Sequence, residues 1–474
     1  MLNLKNNRIP GNVRRVHLIA VCGTGMAALA AALKERGYQV RGSDRRTYPP
    51  MSVFLAEKGI AVAEGFGPQN LFPAPDLVVV GNAVSRDNPE VQQMMAMDLC
   101  FCSMPQAVNH FMAAGKATLL VAGTHGKTTT AALMAWMLSV AGRDPGFLIG
   151  GIVKDFASNY RLGGGPEFVV EGDEYDTAFF DKGPKFLHYR PSLAVLTSVE
   201  FDHADIFPDL AHVRKAFDDF IEGLDPQSLL LAFDADENVA DLMRGRSCRI
   251  QTCGTHASAF WRLENVRIAP PRTTFEVFRQ GRFFAAFRTR LMGVHNLKNA
   301  LAVIAAAHDL EIPVKAVQAA LETFAGVRRR QEIRGVRRGV TVMDDFAHHP
   351  TAVRETLRAV KPFAGAGRLI AVFEPRTNTS MRSVFQDVYA HVFGEADLVC
   401  VRRPPLLKKI PAGQRFSSRR LVEDLKKRGQ CAEYFSDTEG ILDFLAKEAA
   451  DGDVILIMSN GGFDNIHERL LERL

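Results

Sequence analysis

One segment of the sequence carries residue types that could bind the phosphates of a nucleotide. Residues 118–122 form an apolar, β-rich run, Gly123 and Gly126 follow in a turn, and Lys127 opens a stretch without Gly or Pro until Gly142. This order predicts a strand, a loop and a helix. Glycines let a loop turn its N–H groups toward an anion, and a helix N-terminus adds unpaired donors. The segment is therefore a candidate phosphate loop.

The side chains of this loop indicate how a nucleoside triphosphate would be held. Lys127 can reach the outer phosphates, and the hydroxyl of Thr128 can coordinate Mg²⁺. The loop is shorter than the general pattern, because Val121 stands where the first glycine is usual and Gly123 comes two residues later. The predicted ATP-binding residues here are Gly123, Thr124, His125, Gly126, Lys127, Thr128 and Thr129.

Two acidic turns follow predicted strands in the same part of the chain. Residues 167–171 end in a cluster of acids, and residues 193–199 end in a second acidic turn that contains a histidine. The acidic side chains of the first are Glu171, Asp173, Glu174 and Asp176, and the second holds Glu200, Asp202, His203 and Asp205. Carboxylates at the carboxyl ends of strands beside a phosphate loop are where a divalent cation would be held. We therefore favour a metal site here over a solvated turn.

The N-terminal region reads as a β-α-β unit. Residues 16–22 are a predicted strand, 27–36 a helix and 38–44 a second strand that ends in an acid, Asp44. The turn between the first strand and the helix is Gly23-Thr24-Gly25-Met26, as in nucleotide-binding folds. The third glycine of that fingerprint is absent, so a turn without a ligand stays open. A further strand, 77–82, brings Asn82 toward the same crevice.

The C-terminal half of the sequence predicts another sheet. Strands expected at 340–345, 368–373, 397–401 and 453–458 alternate with helices, which is typical of a Rossmann-like domain. A long helix precedes it from about Met292 to His308, and His295 or Asn296 could cap it, while Asn also reads adenine edges. The adjacent His348 and His349 lack a third ligand in the sequence, a pattern more typical of structure or substrate contact than of metal binding.

Length and composition limit the classes of protein that fit. A chain of 474 residues exceeds one hydrophobic core, so several domains are expected, with predicted ranges 1–114, 115–326 and 327–474. The net charge of +5 is small and spread along the chain, which does not favour nucleic acid.

Cysteine use and hydropathy indicate a cytoplasmic protein. Seven cysteines without a Cys-x-x-Cys pair do not form a disulfide framework, and this fits a reducing compartment. The apolar run after Arg15 is interrupted by Gly23 and Gly25, so we do not expect a signal peptide. No unbroken apolar stretch is long enough to predict a membrane span.

Taken in order, these motifs resemble one family. The motifs are the loop 123–130, Glu171 in a Val-Glu-Gly-Asp-Glu turn, Asp202-His203, His295-Asn296 with Asn299, Arg329-Arg330, and Asp345-Phe346-Ala347-His348. Their arrangement resembles the Mur ligases, ATP-dependent amide-forming enzymes of peptidoglycan synthesis, over nearly the whole chain. The resemblance implies an α/β protein of three domains: a Rossmann-like N-terminal domain, a central P-loop ATPase-like mixed sheet, and a Rossmann-like C-terminal domain for the incoming amine.

Several stretches resemble one branch of that family more closely. They are residues 170–182, 186–191, 200–207, 373–376 and 458–463. This branch joins the carboxylate of UDP-N-acetylmuramate to the tripeptide L-Ala-γ-D-Glu-meso-diaminopimelate through an acyl phosphate, in peptidoglycan recycling. The branch that adds L-alanine alone stays open, because sequence does not show the size of the amine pocket. The chain departs from the family at Ser198, where Asn is frequent, and at Gly25, where a bulkier residue is frequent.

The resemblance also implies roles for single residues. It assigns catalysis to Lys127, Glu171 and His203, Mg²⁺ binding to Thr128, Glu171 and His203, and further ATP contacts to Asn296, Arg330 and Asp345. It assigns the UDP-sugar to Gly23, Thr24, Gly25, Met26, Asp44 and Asn82, and the peptide carboxylates to Arg376 and Arg382. Lys215 is the nearest counterpart of a carbamylated lysine in some relatives, and we do not expect that modification here.

Two functions of other classes could account for parts of the sequence. An NAD-dependent dehydrogenase would rest on the Gly23–Gly25 turn, but the phosphate loop and the acidic turns argue against it. A P-loop switch or motor would rest on the loop alone, and a sugar-nucleotide domain in front of the loop makes that function unexpected. The sequence leaves the oligomeric state and the third residue of the peptide open.

Overall fold

The computed structural model describes residues 3–47, 49–234 and 236–474. The chain is an α/β protein whose contacts divide it into two compact units. The first unit comprises Met1–Val199, Arg214–Thr252 and Ala302–Val317, and the second comprises Glu200–Val213, Cys253–Leu301 and Gln318–Leu474.

The first unit begins with a five-stranded parallel sheet. Its strands are β1 (Arg15–Ile19), β2 (Gln39–Asp44), β3 (Ala61–Glu64), β4 (Leu77–Val80) and β5 (Phe101–Ser103), in the order β3-β2-β1-β4-β5. The connecting helices are α1 (Thr24–Glu35), α2 (Met51–Glu57), α3 (Pro89–Ala96) and α4 (Met104–Val108). The apolar run in β4 is fully buried, as expected for a parallel strand covered on both faces. The predicted β-α-β unit is confirmed, but β1 ends at Ile19 instead of residue 22 and α1 begins at Thr24 instead of residue 27.

A mixed sheet forms the rest of the first unit. Its strands are β6 (Ala117–Ala122), β7 (Gly146–Val153), β8 (Ser158–Arg161), β9 (Glu167–Glu171), β12 (Leu193–Leu196) and β13 (Leu229–Phe233), in the order β13-β12-β6-β9-β7-β8. Only the β7–β8 pair among these is antiparallel. A separate hairpin, β10 (Asp176–Ala178) and β11 (Asp181–Pro184), follows β9. Helices α5 (Lys127–Val140) and α7 (Glu237–Leu242) belong here, and α6 (Leu210–Glu222) crosses from one unit to the other.

The two sheets of the first unit are joined by a polar seam. Tyr160 in β8 donates a hydrogen bond to Glu35 at the end of α1 (2.5 Å), and Lys58 donates to the same carboxylate (3.1 Å). The amide of Asn159 approaches the carbonyl oxygen of Thr24 at 3.5 Å. The contacts of Tyr160 and Asn159 attach the last turn and the first turn of α1 to the edge strand of the mixed sheet.

The second unit contains an antiparallel meander that the sequence analysis did not predict. The meander consists of β15 (Trp261–Ala269), β16 (Arg272–Arg279) and β17 (Arg282–Thr289). Strand β14 (Arg249–Gly254), most of which belongs to the first unit, pairs with the start of β15 in parallel. Two helices, α8 (Val294–Asp309) and α9 (Val314–Thr323), then cross the boundary between the units.

The second unit ends in a six-stranded sheet. Its strands are β18 (Glu332–Arg337), β19 (Val340–Asp345), β20 (Leu369–Phe373), β21 (Leu398–Arg402), β22 (Ala432–Phe435) and β23 (Val454–Met458), in the order β18-β19-β23-β20-β21-β22. All are parallel except β18. The helices are α10 (Pro350–Val360), α11 (Gln386–Tyr389), α12 (Ser418–Lys427), α13 (Thr438–Glu448) and α14 (Ile466–Arg473), and buried apolar clusters lie on both faces. The predicted Rossmann-like sheet is confirmed.

Two further local predictions were wrong. Strand β12 ends at Leu196 instead of residue 199, because Thr197 and Ser198 turn toward the phosphate loop. Helix α8 already begins at Val294, and the carbonyl oxygen of Gly293 accepts the first helical hydrogen bonds, so His295 and Asn296 lie in the first turn and do not cap it.

Candidate functional site

The phosphate loop joins β6 to α5 through two glycines with positive φ. Gly123 has φ +122°, and a Cβ atom there would lie 2.2 Å from Thr197 Oγ1 and 2.9 Å from the backbone nitrogen of Ser198. Gly126 has φ +82° and is the N-cap of α5. Side chains at these positions would be strained, and at Gly123 they would also collide with backbone. The glycine spacing of the sequence is therefore required by this loop.

The end of β12 holds the loop from one side. Ser198 accepts a hydrogen bond from Thr124 N–H at its carbonyl oxygen (2.8 Å) and one from His125 N–H at its hydroxyl (3.1 Å). The Thr197 hydroxyl donates to the carbonyl oxygen of His125 (2.5 Å). The N–H groups of Thr124 and His125 thus point to the neighbouring strand, which leaves the start of α5 as the source of donors for an anion.

Lys127 is held by Glu174, which the sequence places in the acidic cluster without indicating its partner. Its ammonium lies 2.8 and 3.0 Å from the two oxygens of Glu174 and donates to the carbonyl oxygen of Gly123 (2.6 Å). The side chain of Glu174 is 3% exposed and that of Lys127 13%. Burial alone would lower the pKa of Lys127, but the charges of Glu174 and Glu171 outweigh it and raise that pKa. The lysine is a cation in this loop.

Thr128 and Glu171 present a pair of oxygen atoms beside the loop. The Thr128 hydroxyl donates to Glu171 Oε1 (2.9 Å), and the N–H of Gly150 donates to the other carboxylate oxygen (2.7 Å). A hydroxyl and a carboxylate at this separation are the hard donors that Mg²⁺ accepts, so the residues fit that ion. His203, the third predicted ligand, belongs to the second unit and has φ +55°. The three-residue metal site stays a prediction.

The other acids of the first turn are engaged elsewhere. Asp173 pairs with Lys185 at 2.5 Å, and Asp176 pairs with Lys182 at 3.1 Å. Burial raises the pKa of Asp173, but the Lys185 ammonium overrides this and lowers it. Of the four acids in the cluster, Glu171 and Glu174 are thus the two that contact the loop.

The second acidic turn and the histidine pair lie together in the second unit. His349 caps α10, because its Nδ1 accepts from Thr351 N–H (3.3 Å) and its Nε2 donates to the carbonyl oxygen of Phe201 (3.1 Å). His348 Nε2 lies 3.8 Å from Asp202. Although burial raises the pKa of Asp202, the nearby imidazoles of His348 and His203 hold it well below its usual range. Both histidines of the pair therefore contact this turn, and their role toward metal or substrate stays a prediction.

The predicted adenine and ribose residues are linked through one glutamine. The Asn296 amide donates to the carbonyl oxygen of Met292 (2.9 Å) and to the side-chain oxygen of Gln331 (3.0 Å), and Asn299 donates to Asn296 (3.1 Å). Gln331 N–H donates in turn to Asp345 (2.8 Å). Sequence analysis missed Gln331. The available signal was its place directly after the Arg329-Arg330 motif.

Arg329 and Arg330 make different contacts near Asp345. Asp345 is 5% exposed, and burial raises its pKa while the charge of Arg330 opposes that rise. The Arg330 guanidinium lies 4.8 Å from the ring centroid of Phe346. Arg329 donates to the carbonyl oxygens of Ser459 and Gly461, each at 2.6 Å. Arg329 therefore holds the segment after β23 in place, and Arg330 is the arginine whose charge acts on Asp345.

The turn between β1 and α1 is hydrogen-bonded to Asp44, the acid at the end of β2. Asp44 accepts from Cys22 N–H (2.8 Å) and from Arg45 N–H (2.7 Å), so its carboxylate braces the turn. Gly23 is the N-cap of α1, and the side chain of Met26 is buried within the first turn. Asn82 is exposed in the turn after β4. Since β1, β2 and β4 are parallel, these turns share one edge of the sheet.

The predicted peptide-binding arginines lie after β20 and are each engaged. Arg376 lies 3.6 Å from the buried Glu374 and its side chain covers Gly461, where a Cβ atom would meet the arginine Cδ at 2.2 Å. Arg382 donates to the side chain of Gln414 (2.6 Å). Their roles toward a peptide stay predictions.

Three family models match the chain in succession. The Mur ligase family catalytic domain matches residues 15–116, the Mur ligase middle domain residues 121–307, and the Mur ligase glutamate ligase domain residues 328–461. The chain belongs to the Mur ligase family. It is therefore an ATP-dependent ligase with the three-domain architecture of that family, and the dehydrogenase and switch alternatives are not supported.

Individual Mur ligases resemble the chain along its whole length. The UDP-N-acetylmuramate–L-alanyl-γ-D-glutamyl-meso-2,6-diaminoheptandioate ligase of Haemophilus influenzae is 38% identical, over 98% of this chain and 99% of that protein. The UDP-N-acetylmuramate–L-alanine ligase of Acetivibrio thermocellus is 32% identical, over 98% and 97%. The crystal structure of a murein peptide ligase from Psychrobacter arcticus superposes with a TM-score of 0.71 at 34% identity, covering 97% of this chain and 98% of that one.

Both departures from the usual Mur ligase residues have local explanations. The Ser198 hydroxyl accepts from His125 N–H in the loop, as described above. A Cβ atom at Gly25 would lie 2.7 Å from Cε of Met104, so the methionine occupies the space that a larger residue would need.

Among the residues that the structure describes, none of the helices is both long and apolar enough to span a membrane.

Proposed function

We propose that the chain joins the carboxylate of UDP-N-acetylmuramate to the tripeptide L-Ala-γ-D-Glu-meso-diaminopimelate, with cleavage of ATP to ADP and phosphate. The observation that carries this proposal is the similarity over the full length to a ligase whose name specifies these substrates. The geometry of the loop around Lys127 and Thr128 supports the ATP half of the reaction.

The chemistry requires an activated carboxylate. A carboxylate oxygen is a poor leaving group, so an amine does not displace it in water. The lactyl carboxylate attacks the γ-phosphorus of ATP, which forms an acyl phosphate and releases ADP. The uncharged amine of the tripeptide then attacks the acyl carbon. The bond from that carbon to the phosphate oxygen breaks, phosphate leaves with the electron pair, and the nitrogen loses one proton to solvent. In the first step Lys127 and the N-terminus of α5 stabilise the charge that develops on the transferred group.

Thr128 and Glu171 are the residues of the first unit that would hold Mg²⁺. Their oxygens already lie 2.9 Å apart, and Gly150 fixes the far side of the carboxylate. His203 is the third proposed ligand, on the strength of its place in the family motif. A bound Mg²⁺ would supply Lewis acidity toward the phosphate oxygens.

The nucleoside of ATP is proposed to lie against the cluster of the second unit. The side-chain oxygen of Asn296 retains a lone pair that can accept from the adenine amino group, while Met292 and Gln331 hold the amide nitrogen in place. Asp345 would accept from a ribose hydroxyl, and Arg330 beside it would contact phosphate.

The remaining substrates are proposed to occupy the N-terminal and C-terminal sheets. The UDP-sugar would bind at the edge formed by Gly23, Thr24, Gly25 and Asn82, where α1 offers its N-terminus to the diphosphate. Arg376 and Arg382 would grip carboxylates of the peptide. We propose a cytoplasmic location, which is supported by the seven cysteines, all of them free thiols within the described ranges.

The deciding experiment measures ADP release with ATP, Mg²⁺ and UDP-N-acetylmuramate, and compares the tripeptide with L-alanine as the amine. Turnover with the tripeptide alone supports the proposal. Turnover mainly with L-alanine would show that the chain is an L-alanine-adding ligase, and the proposed ATP site would still stand. The variant Lys127→Met tests the assignment of the loop, because it keeps the length of the side chain and removes the ammonium group. ADP release by that variant equal to the unmodified protein would contradict the assignment of the loop.

A further inference from the structure

Glu174 is the buried acid beside the phosphate loop to which the family motif assigns no role. Both of its oxygens lie within 3.0 Å of the Lys127 ammonium, and its side chain is 3% exposed. The ammonium group has only three donors, and the carboxylate and the Gly123 carbonyl oxygen already engage it. An anion that reaches Lys127 must therefore share it with Glu174.

The backbone around Glu174 is fixed independently of Lys127. The N–H of Phe186 donates to the carbonyl oxygen of Asp173 (3.3 Å), and the N–H of Lys185 donates to that of Tyr175 (3.2 Å). The Asp173 carboxylate also accepts from Tyr175 N–H (3.2 Å). These bonds anchor the residues on both sides of Glu174 to the segment after the hairpin. The carboxylate is thus delivered to the lysine by the turn itself.

The position of this carboxylate has an electrostatic consequence. A negative charge in contact with the cation of a phosphate loop lowers the positive potential that attracts a polyphosphate, and burial of the pair limits screening by salt. Glu171 is a second acid nearby, but it is engaged by Thr128 and Gly150 instead of the lysine. Glu174 is therefore the acid whose removal would change the charge around Lys127 most directly.

We propose that Glu174 is a positioning residue that serves as the resident counter-ion of Lys127. It holds the ammonium in place when the loop is empty, competes with nucleotide phosphate for it, and thereby speeds the departure of ADP. This inference rests on the proposed ATP-binding function of the loop and adds a residue that limits nucleotide affinity.

The test compares ADP binding to the unmodified full chain and to Glu174→Gln, by calorimetry and by the rate of ADP dissociation. Glutamine keeps the size of the side chain and removes its charge. We expect the Kd for ADP to fall roughly five- to tenfold, mostly through slower dissociation. An unchanged or weaker affinity in a variant with unaltered thermal stability would overturn the inference.

The variant Asp176→Asn is the matched control, because it removes the same charge two residues away, where the acid faces Lys182 and not the loop. We expect its ADP affinity to equal that of the unmodified chain; equal tightening in both variants would show a general charge effect and contradict the proposal. Glu174→Asp, which keeps the charge, serves if the glutamine variant does not fold, and its Kd should stay within about twofold of the unmodified value. An unmodified chain that binds no ADP would refute the proposed function instead.

Discussion

The substitution Gly123→Ala should disable the phosphate loop while leaving the rest of the fold in place. The added methyl group would stand 2.2 Å from Thr197 Oγ1 and 2.9 Å from both the nitrogen and the carbonyl oxygen of Ser198. Thr197 could rotate its hydroxyl away, but the two Ser198 atoms are backbone. The loop must therefore move relative to the end of β12.

The expected cost has two parts. An alanine with positive φ is strained by about 1–2 kcal/mol, and a methyl group forced against packed backbone costs about 1–3 kcal/mol more. The structure relieves this by displacing the loop, and a displacement of even 1 Å can cost on the order of 100-fold in a reaction that depends on orientation. We expect the variant to lose at least about tenfold in ADP affinity and more in ligase activity.

The matched control is Gly142→Ala at the other end of α5. Gly142 also has positive φ, +75°, but a Cβ atom there meets no other atom within 4 Å. It should lose only about 1 kcal/mol of stability and retain full ADP affinity. Calorimetric titration with ADP and a thermal unfolding scan measure both quantities. The reasoning is refuted if Gly123→Ala binds ADP as tightly as the control does.

Three further predictions concern other sites. Thr128→Ala removes the hydroxyl bound to Glu171, so we expect ADP release to need about tenfold more Mg²⁺, read from a titration of the metal. Gln331→Ala frees the amide of Asn296 and should raise the KM for ATP several-fold with little change in thermal stability, whereas an unchanged KM would remove the glutamine from the site. Burial raises the pKa of Asp453, but its hydrogen bond with Arg368 outweighs burial and holds that pKa below its usual range. The stability that this carboxylate contributes is therefore present above the pKa of an ordinary aspartate and lost as pH falls through the lowered pKa, so Asp453→Asn should flatten the acid limb of a curve of unfolding free energy against pH.

The fold was largely predictable because its strands are apolar runs that end in turns. β6, β9, β19 and β23 lie within a residue or two of their predicted ranges, since buried parallel strands are read from composition alone. The meander β15–β17 was not predicted, because its strands are half-exposed and carry charged residues along their length.

The candidate site was predictable only where the motif is local. The loop from Gly123 to Thr129 and the acid Glu171 are short-range patterns whose geometry follows from strand, turn and helix. Sequence could not show which acid of the cluster would pair with Lys127, since three lysines lie within reach of that turn and the choice depends on the path of the chain. Gln331 was missed for the same reason, because its partners lie 35 and 14 residues away.

The seam between α1 and β8 fixes the N-terminal sheet of the first unit against its mixed sheet. Tyr160 and Lys58 meet on Glu35 at one end of the helix, and Asn159 meets Thr24 at the other. The turn proposed for the sugar nucleotide and the loop proposed for ATP are therefore mounted on a single frame. We therefore expect the size and shape of the sugar nucleotide to decide how close its lactyl carboxylate comes to the γ-phosphate. An acceptor with a shortened sugar nucleotide should therefore bind without releasing ADP, because its carboxylate would not reach the γ-phosphate.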